Sequence, residues 1–160
     1  MSGLYGYLND HLAGAAAAIR LAERCRAREP QSERGRMLQP LLVEIEEDRG
    51  VLQRVIAALG GSTNPVKQAS AVGMERLGSL RMALPVLGPG SGEAARLEEL
   101  EVLSLGIEGK RMLWKLLGTL ATSNWRLVGF DFAGLERRAE SQRHRLEPLR
   151  LELAAAALAG

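Results

Sequence analysis

Apolar residues recur three and four positions apart along most of this chain, a spacing that predicts helices rather than strands. The first stretch, Leu4 to Arg28, puts Leu4, Leu8, Leu12, Ala15, Ile19 and Ala22 on one stripe, and Pro30 ends it. The second is clearest from Pro40 to Leu59, with Leu41, Ile45, Leu52 and Val55 in register. Ser32 offers an earlier N-cap, which would make Pro40 an internal kink. Gly60-Gly61 supplies the stop. The third stretch, Glu93 to Ala121, is apolar on most sides, through Leu100, Leu103, Leu105, Ile107, Leu113 and Trp114. Such a helix is expected to be largely buried. The fourth opens on Asp131 as N-cap and runs to about Leu158, with Leu135, Ala139, Leu146, Leu149 and Leu153 inward. Pro148 is expected to kink it or to remove one backbone hydrogen bond.

The link from the second stretch to the third is long. Asn64-Pro65 reads as a cap followed by a first-turn proline, so a shorter helix is expected over Pro65–Met82. Leu84-Pro85 and the glycine-rich run to Gly92 then read as loop. The other two links are short. The expected fold is therefore all-α, a single domain over residues 1–160. It is a four-helix bundle with one long crossover between its second and third helices.

One polar residue interrupts each apolar stripe: His11, Asp48, Lys110 and Gln142. In a bundle with that crossover, Asp48, Lys110 and Gln142 each lie about 11 residues from one end, and His11 about 7. At about 1.5 Å per residue the four depths agree within roughly one turn. They form a candidate core layer with two readings. In one, Asp48 and Lys110 pair, and His11 and Gln142 complete a closed network. In the other, the layer lines a pocket where Asp48 and His11 act as acid and base and Lys110 holds an anionic group.

The layout resembles the ferritin-like superfamily over essentially the full chain. The strings Tyr7-Leu8-Asn9-Asp10-His11-Leu12, Glu44-Ile45-Glu46-Glu47-Asp48 and Gly109-Lys110-Arg111-Met112-Leu113-Trp114 are similar to small bacterial ferritin-like proteins of unassigned function. The resemblance implies a metal site at the height of the polar layer. A di-iron site of that superfamily takes Glu from two helices and Glu-x-x-His from the other two. This chain has no Glu-x-x-His, and Lys110 puts a cation where a metal should sit. No cofactor is favoured. A divergent iron or manganese site would have to draw on Glu47, Asp48, Glu101, Glu108 and His11.

Composition narrows the classes further. Lys plus Arg is 21 against Asp plus Glu 19, with the two signs interspersed along helix faces, so no nucleic-acid surface is expected. The single cysteine, Cys25, excludes an internal disulfide. Its arginine neighbours Arg24, Arg26 and Arg28 favour a lowered pKa, although a solvated helix end favours an inert thiol. No secretory leader or membrane-spanning run is read, which makes the cytoplasm the default compartment. The Ala-rich first stretch, the apolar third stretch and the run Leu153 to Leu158 exceed what one thin bundle needs, so a homodimer is expected. Trp125, Arg126 and Phe130, between the last two helices, form a candidate cap or contact spot. The leading expectation is a non-catalytic, metal-free bundle acting through oligomerisation or partner binding. The alternatives are a core-pocket enzyme or binder, and a divergent metal protein.

Overall fold

A computed structural model describes residues 2–61 and 92–159, and these are helical apart from short links, with no strand among them. Four long helices account for nearly all of them: α1 Ser2–Arg28, α2 Glu33–Ala58, α3 Glu93–Ala121 and α4 Phe132–Ala159. A 3-10 turn, Trp125–Leu127, joins α3 to α4. The expected helix over Pro65–Met82, and the path of the crossover itself, lie outside the described residues.

The helix ends follow local chemistry. Ser32 caps α2, its hydroxyl accepting from the Gly35 backbone N–H at 3.0 Å. Pro40 therefore sits inside α2 rather than at its start. Gly35 is required in that first turn, because a Cβ there would lie 2.1 Å from the Glu29 carbonyl oxygen. At the other end Gly60 takes φ +86°, and the Gly60 and Gly61 N–H groups return to the Ala57 and Ile56 carbonyls, both at 2.9 Å. This double bond pattern satisfies carbonyls that a helix end otherwise leaves open. Asp131 caps α4 by accepting from Gly134 N at 2.8 Å. Pro148 also lies within a helix, exposed to solvent, and α4 continues past it to Ala159.

Polar contacts fix the helix directions. The Tyr5 hydroxyl donates to the Leu59 carbonyl at 2.5 Å, and Arg126 Nη1 reaches the same oxygen at 3.4 Å. The start of α1, the end of α2 and the 3-10 turn thus share one end. At the opposite end Arg28 pairs with Glu99 near the start of α3, and Arg34 pairs with Glu152 of α4 at 3.1 Å. Helices α2 and α3 point one way; α1 and α4 point the other. The end of α2 and the start of α3 accordingly lie at opposite ends of the bundle.

Leu8, Leu52, Val55, Ile56, Leu103, Ile107, Trp114, Leu117 and Leu146 are among the buried apolar side chains of the core. Each large aliphatic one contributes about 1.5–3 kcal/mol relative to exposure. The helices pack unevenly. Contact is closest between α3 and α4 and between α1 and α2, sparser between α1 and α3, and sparser still between α2 and α4, where long polar side chains bridge the gap. As a result α3 is less buried than its composition predicts. Leu105 is 71% exposed, and Met112 and Leu116 also face outward. The apolar sequence of α3 exceeds the surface its described neighbours cover.

Candidate functional site

The polar layer is built on α2, α3 and α4. Lys110 Nζ donates to Asp48 Oδ2 and to Gln142 Oε1, each at 2.5 Å. Gln142 Nε2 donates to Glu44 Oε2 at 2.9 Å and to Asp48 Oδ2 at 3.3 Å. Asp48 Oδ1 accepts from Arg138, which also meets Glu47 at 2.9 Å. Arg145 pairs with Glu44. Three carboxylates (Glu44, Glu47, Asp48) thus face three cations (Lys110, Arg138, Arg145), with the Gln142 amide linking them. Asp48 and Gln142 are almost wholly inaccessible, and Lys110 retains 12% exposure. Burial pushes the Lys110 ammonium below its ordinary range, while Asp48 beside it opposes the shift. Burial also tends to raise Glu44, but hydrogen bonds from Arg145 and Gln142 outweigh it and hold that carboxyl low.

His11 stands apart from this network. No hydrogen bond joins it to Asp48, Lys110 or Gln142 among the described residues. Its ring packs edge-on against Tyr7 at 4.6 Å between centroids. Burial lowers its pKa, with Asp10 acting in the opposite direction. The acid–base pairing of His11 with Asp48 is therefore not assembled here: Asp48 already accepts from Lys110, Arg138 and Gln142.

What His11 does share with Asp48 and Lys110 is a cavity of about 570 Å³ between α1, α2 and α3. Small residues of α1 and α3 leave the space between its walls unfilled. A Cβ added at Gly14 or Gly106 would meet no described atom within 4 Å, and one at Gly109 would touch only His11 Cε1, at 4.0 Å. The cavity has two unlike ends. Tyr7, Asp10, His11, Arg49, Lys110 and Trp114 gather at one. Ala18, Leu21, Val102, Leu103 and Gly106 line the other. The Trp114 and Arg49 Nε–H groups are both buried and have no hydrogen-bond partner.

The carboxylates of the metal alternative do not converge. Glu47 and Asp48 are bound by Arg138, Glu101 by Arg150 at 3.2 Å, and Glu108 by Arg111 and Arg143 at 2.8 and 2.6 Å. His11 lines the cavity with Asp48, and Glu47, Glu101 and Glu108 are not among the residues that line it. Among the described residues no three His, Cys, Asp or Glu side chains form a group fit for a metal ion.

Sequence reasoning missed a second buried ionic cluster at the opposite end. Glu99 is only 2% exposed and is clasped by Arg24 at 3.0 Å and by both terminal nitrogens of Arg28. Cys25 Sγ lies 3.5 Å from the same carboxylate. Burial and the Glu99 charge push the thiol up to about 12, overriding Arg28 and Arg24. Arg24 and Arg28 do not lower the thiol pKa overall, because they serve Glu99, and the thiol is kept protonated by burial rather than by a solvated helix end. The signal was the position of Glu99 one turn before Leu103 on the inward side of α3. Glu44, Arg138 and Arg145 were missed too, one turn from Asp48 or Gln142 on stripe flanks that look solvated. Trp125 does not cap the bundle; it is 79% exposed, with the Arg126 guanidinium 5.6 Å from its ring centroid.

No helix among the described residues is long and apolar enough to cross a membrane. Comparison with protein-family models, with curated proteins and with solved structures returns no match.

Proposed function

We propose that this chain is a non-catalytic binding protein of ferritin-like layout, in which the polar layer is structural and the α1–α3 cavity is the working site. The crossover of that layout is supported by the parallel course of α2 and α3. The observation that carries the function is the cavity itself. Its volume falls in the ordinary range for small-ligand sites, and its walls are mainly apolar with polar groups at one end. The network of Asp48, Lys110 and Gln142 closes one side, its members bonded to one another rather than poised for proton transfer.

The chain's two tryptophans make this testable. In a Trp125→Phe background, Trp114 reports from the cavity wall. A neutral long-chain alcohol brominated along its chain is expected to quench Trp114 saturably. Gly106→Leu, which puts a side chain into the open space, is expected to abolish that quenching while helicity persists. Absence of saturable quenching in the folded Trp125→Phe protein would overturn the reading.

A specific observation also favours self-association. Leu105, Met112 and Leu116 form an exposed ridge along α3, and Leu105 also lines the cavity. A two-fold dimer that pairs this ridge with its own copy is the simplest closed arrangement.

A further inference from the structure

We propose that the cavity takes a single-chain amphiphile with a carboxylate head, the head lying at the Arg49–Trp114 end and the alkyl chain running towards Leu21. This assignment rests on the binding reading above and adds the chemical class of the ligand.

Shape gives the tail. The wall contributed by α1 extends from Tyr7 to Leu21, about 20 Å along the helix axis. Beyond His11 that wall offers Gly14, Ala15, Ala17, Ala18 and Leu21, none of which can hydrogen-bond through its side chain. A long space whose far end is apolar suits an extended alkyl chain.

Unmet donors give the head. Trp114 is 1% exposed, and its indole N–H can only donate, yet it has no acceptor. Leaving such a group unpaired is costly, so an acceptor is wanted there. Arg49 Nε is a second unpaired buried donor on the same cavity, and a guanidinium matches a carboxylate in geometry and charge. Neither the Trp114 Nε–H nor the Arg49 Nε–H donates to the acids already at this end, which have other roles. Asp48 is taken by Lys110, Arg138 and Gln142, and Asp10 acts on His11. A ligand head that only accepts is what the two donors lack, and a carboxylate supplies it without bringing a donor of its own.

The test compares a brominated sixteen-carbon carboxylate with the alcohol of the same chain, both read by quenching of Trp114 in the Trp125→Phe protein at pH 8. The carboxylate is expected to bind at least ten-fold more tightly. Arg49→Gln is expected to bring the carboxylate-to-alcohol ratio to about one, and Arg49→Lys to restore part of it. Shortening the chain is expected to weaken both probes by roughly four-fold per methylene. Equal affinity of the two probes for the unaltered site overturns the head assignment and leaves the binding reading standing. So does a ratio that Arg49→Gln does not move. Failure of both probes to bind the folded protein removes both proposals.

Discussion

At the scale of single residues, Asp48 ties the polar layer together. It neutralises Lys110 and Arg138 and accepts from Gln142. Asp48→Ala leaves the Lys110 ammonium without its carboxylate partner inside the bundle, while Arg138 keeps Glu47, and is expected to cost about 3–5 kcal/mol in urea unfolding. Gln142→Leu removes one partner each from Lys110, Glu44 and Asp48, and is expected to cost about 1–3 kcal/mol. His11 yields a pH signature. Its pKa is held below the ordinary 6.5, so the unfolded chain takes up a proton that the folded chain resists. Stability is therefore expected to fall as pH drops below about 6.5, and His11→Gln should flatten that slope in urea midpoints measured between pH 7 and 5. Three of the four layer residues were readable because a polar residue on an apolar stripe has nowhere else to point. His11 occupies the same kind of position, but the space beside it is the cavity and not a facing carboxylate. Arg138 and Arg145 were unreadable because their long side chains reach Asp48 and Glu44 from flank positions.

At the scale of elements, glycines separate helix caps from cavity walls. Gly35→Ala drives a Cβ into the Glu29 carbonyl and the Pro30 backbone, so it is expected to lower the melting temperature. Gly14→Ala meets nothing within 4 Å among the described residues, and is expected to stabilise α1 by about 0.5–1 kcal/mol. The opposite signs of two identical substitutions, read by thermal denaturation, check both placements at once. Helix limits were largely legible: α3 runs over the expected Glu93–Ala121, and Ser32, Gly60 and Asp131 terminate or cap as their chemistry dictates. Local hydrogen bonding settles such points within a few residues. The exposure of Leu105 and Met112 was not legible, because it depends on which neighbours α3 has.

At the scale of the whole molecule, the ridge of Leu105, Met112 and Leu116 predicts concentration-dependent self-association. Met112→Lys is expected to shift sedimentation towards monomer without loss of helicity; an unchanged profile would place any dimer contact elsewhere. The sequence by itself determined that the described residues are helical, where most of the helices start and stop, and that Asp48, Lys110 and Gln142, three of the four residues it placed in one layer, turn inward. Those properties follow from periodicity and capping, which act over a few residues. Tertiary structure alone decided that the polar layer closes into a neutral network, that Glu99 is buried at the far end, and that α1 stands off from α3 around a cavity. Each of these depends on the distance between helix axes and on how far a side chain reaches across it, neither of which is written in the spacing along one helix.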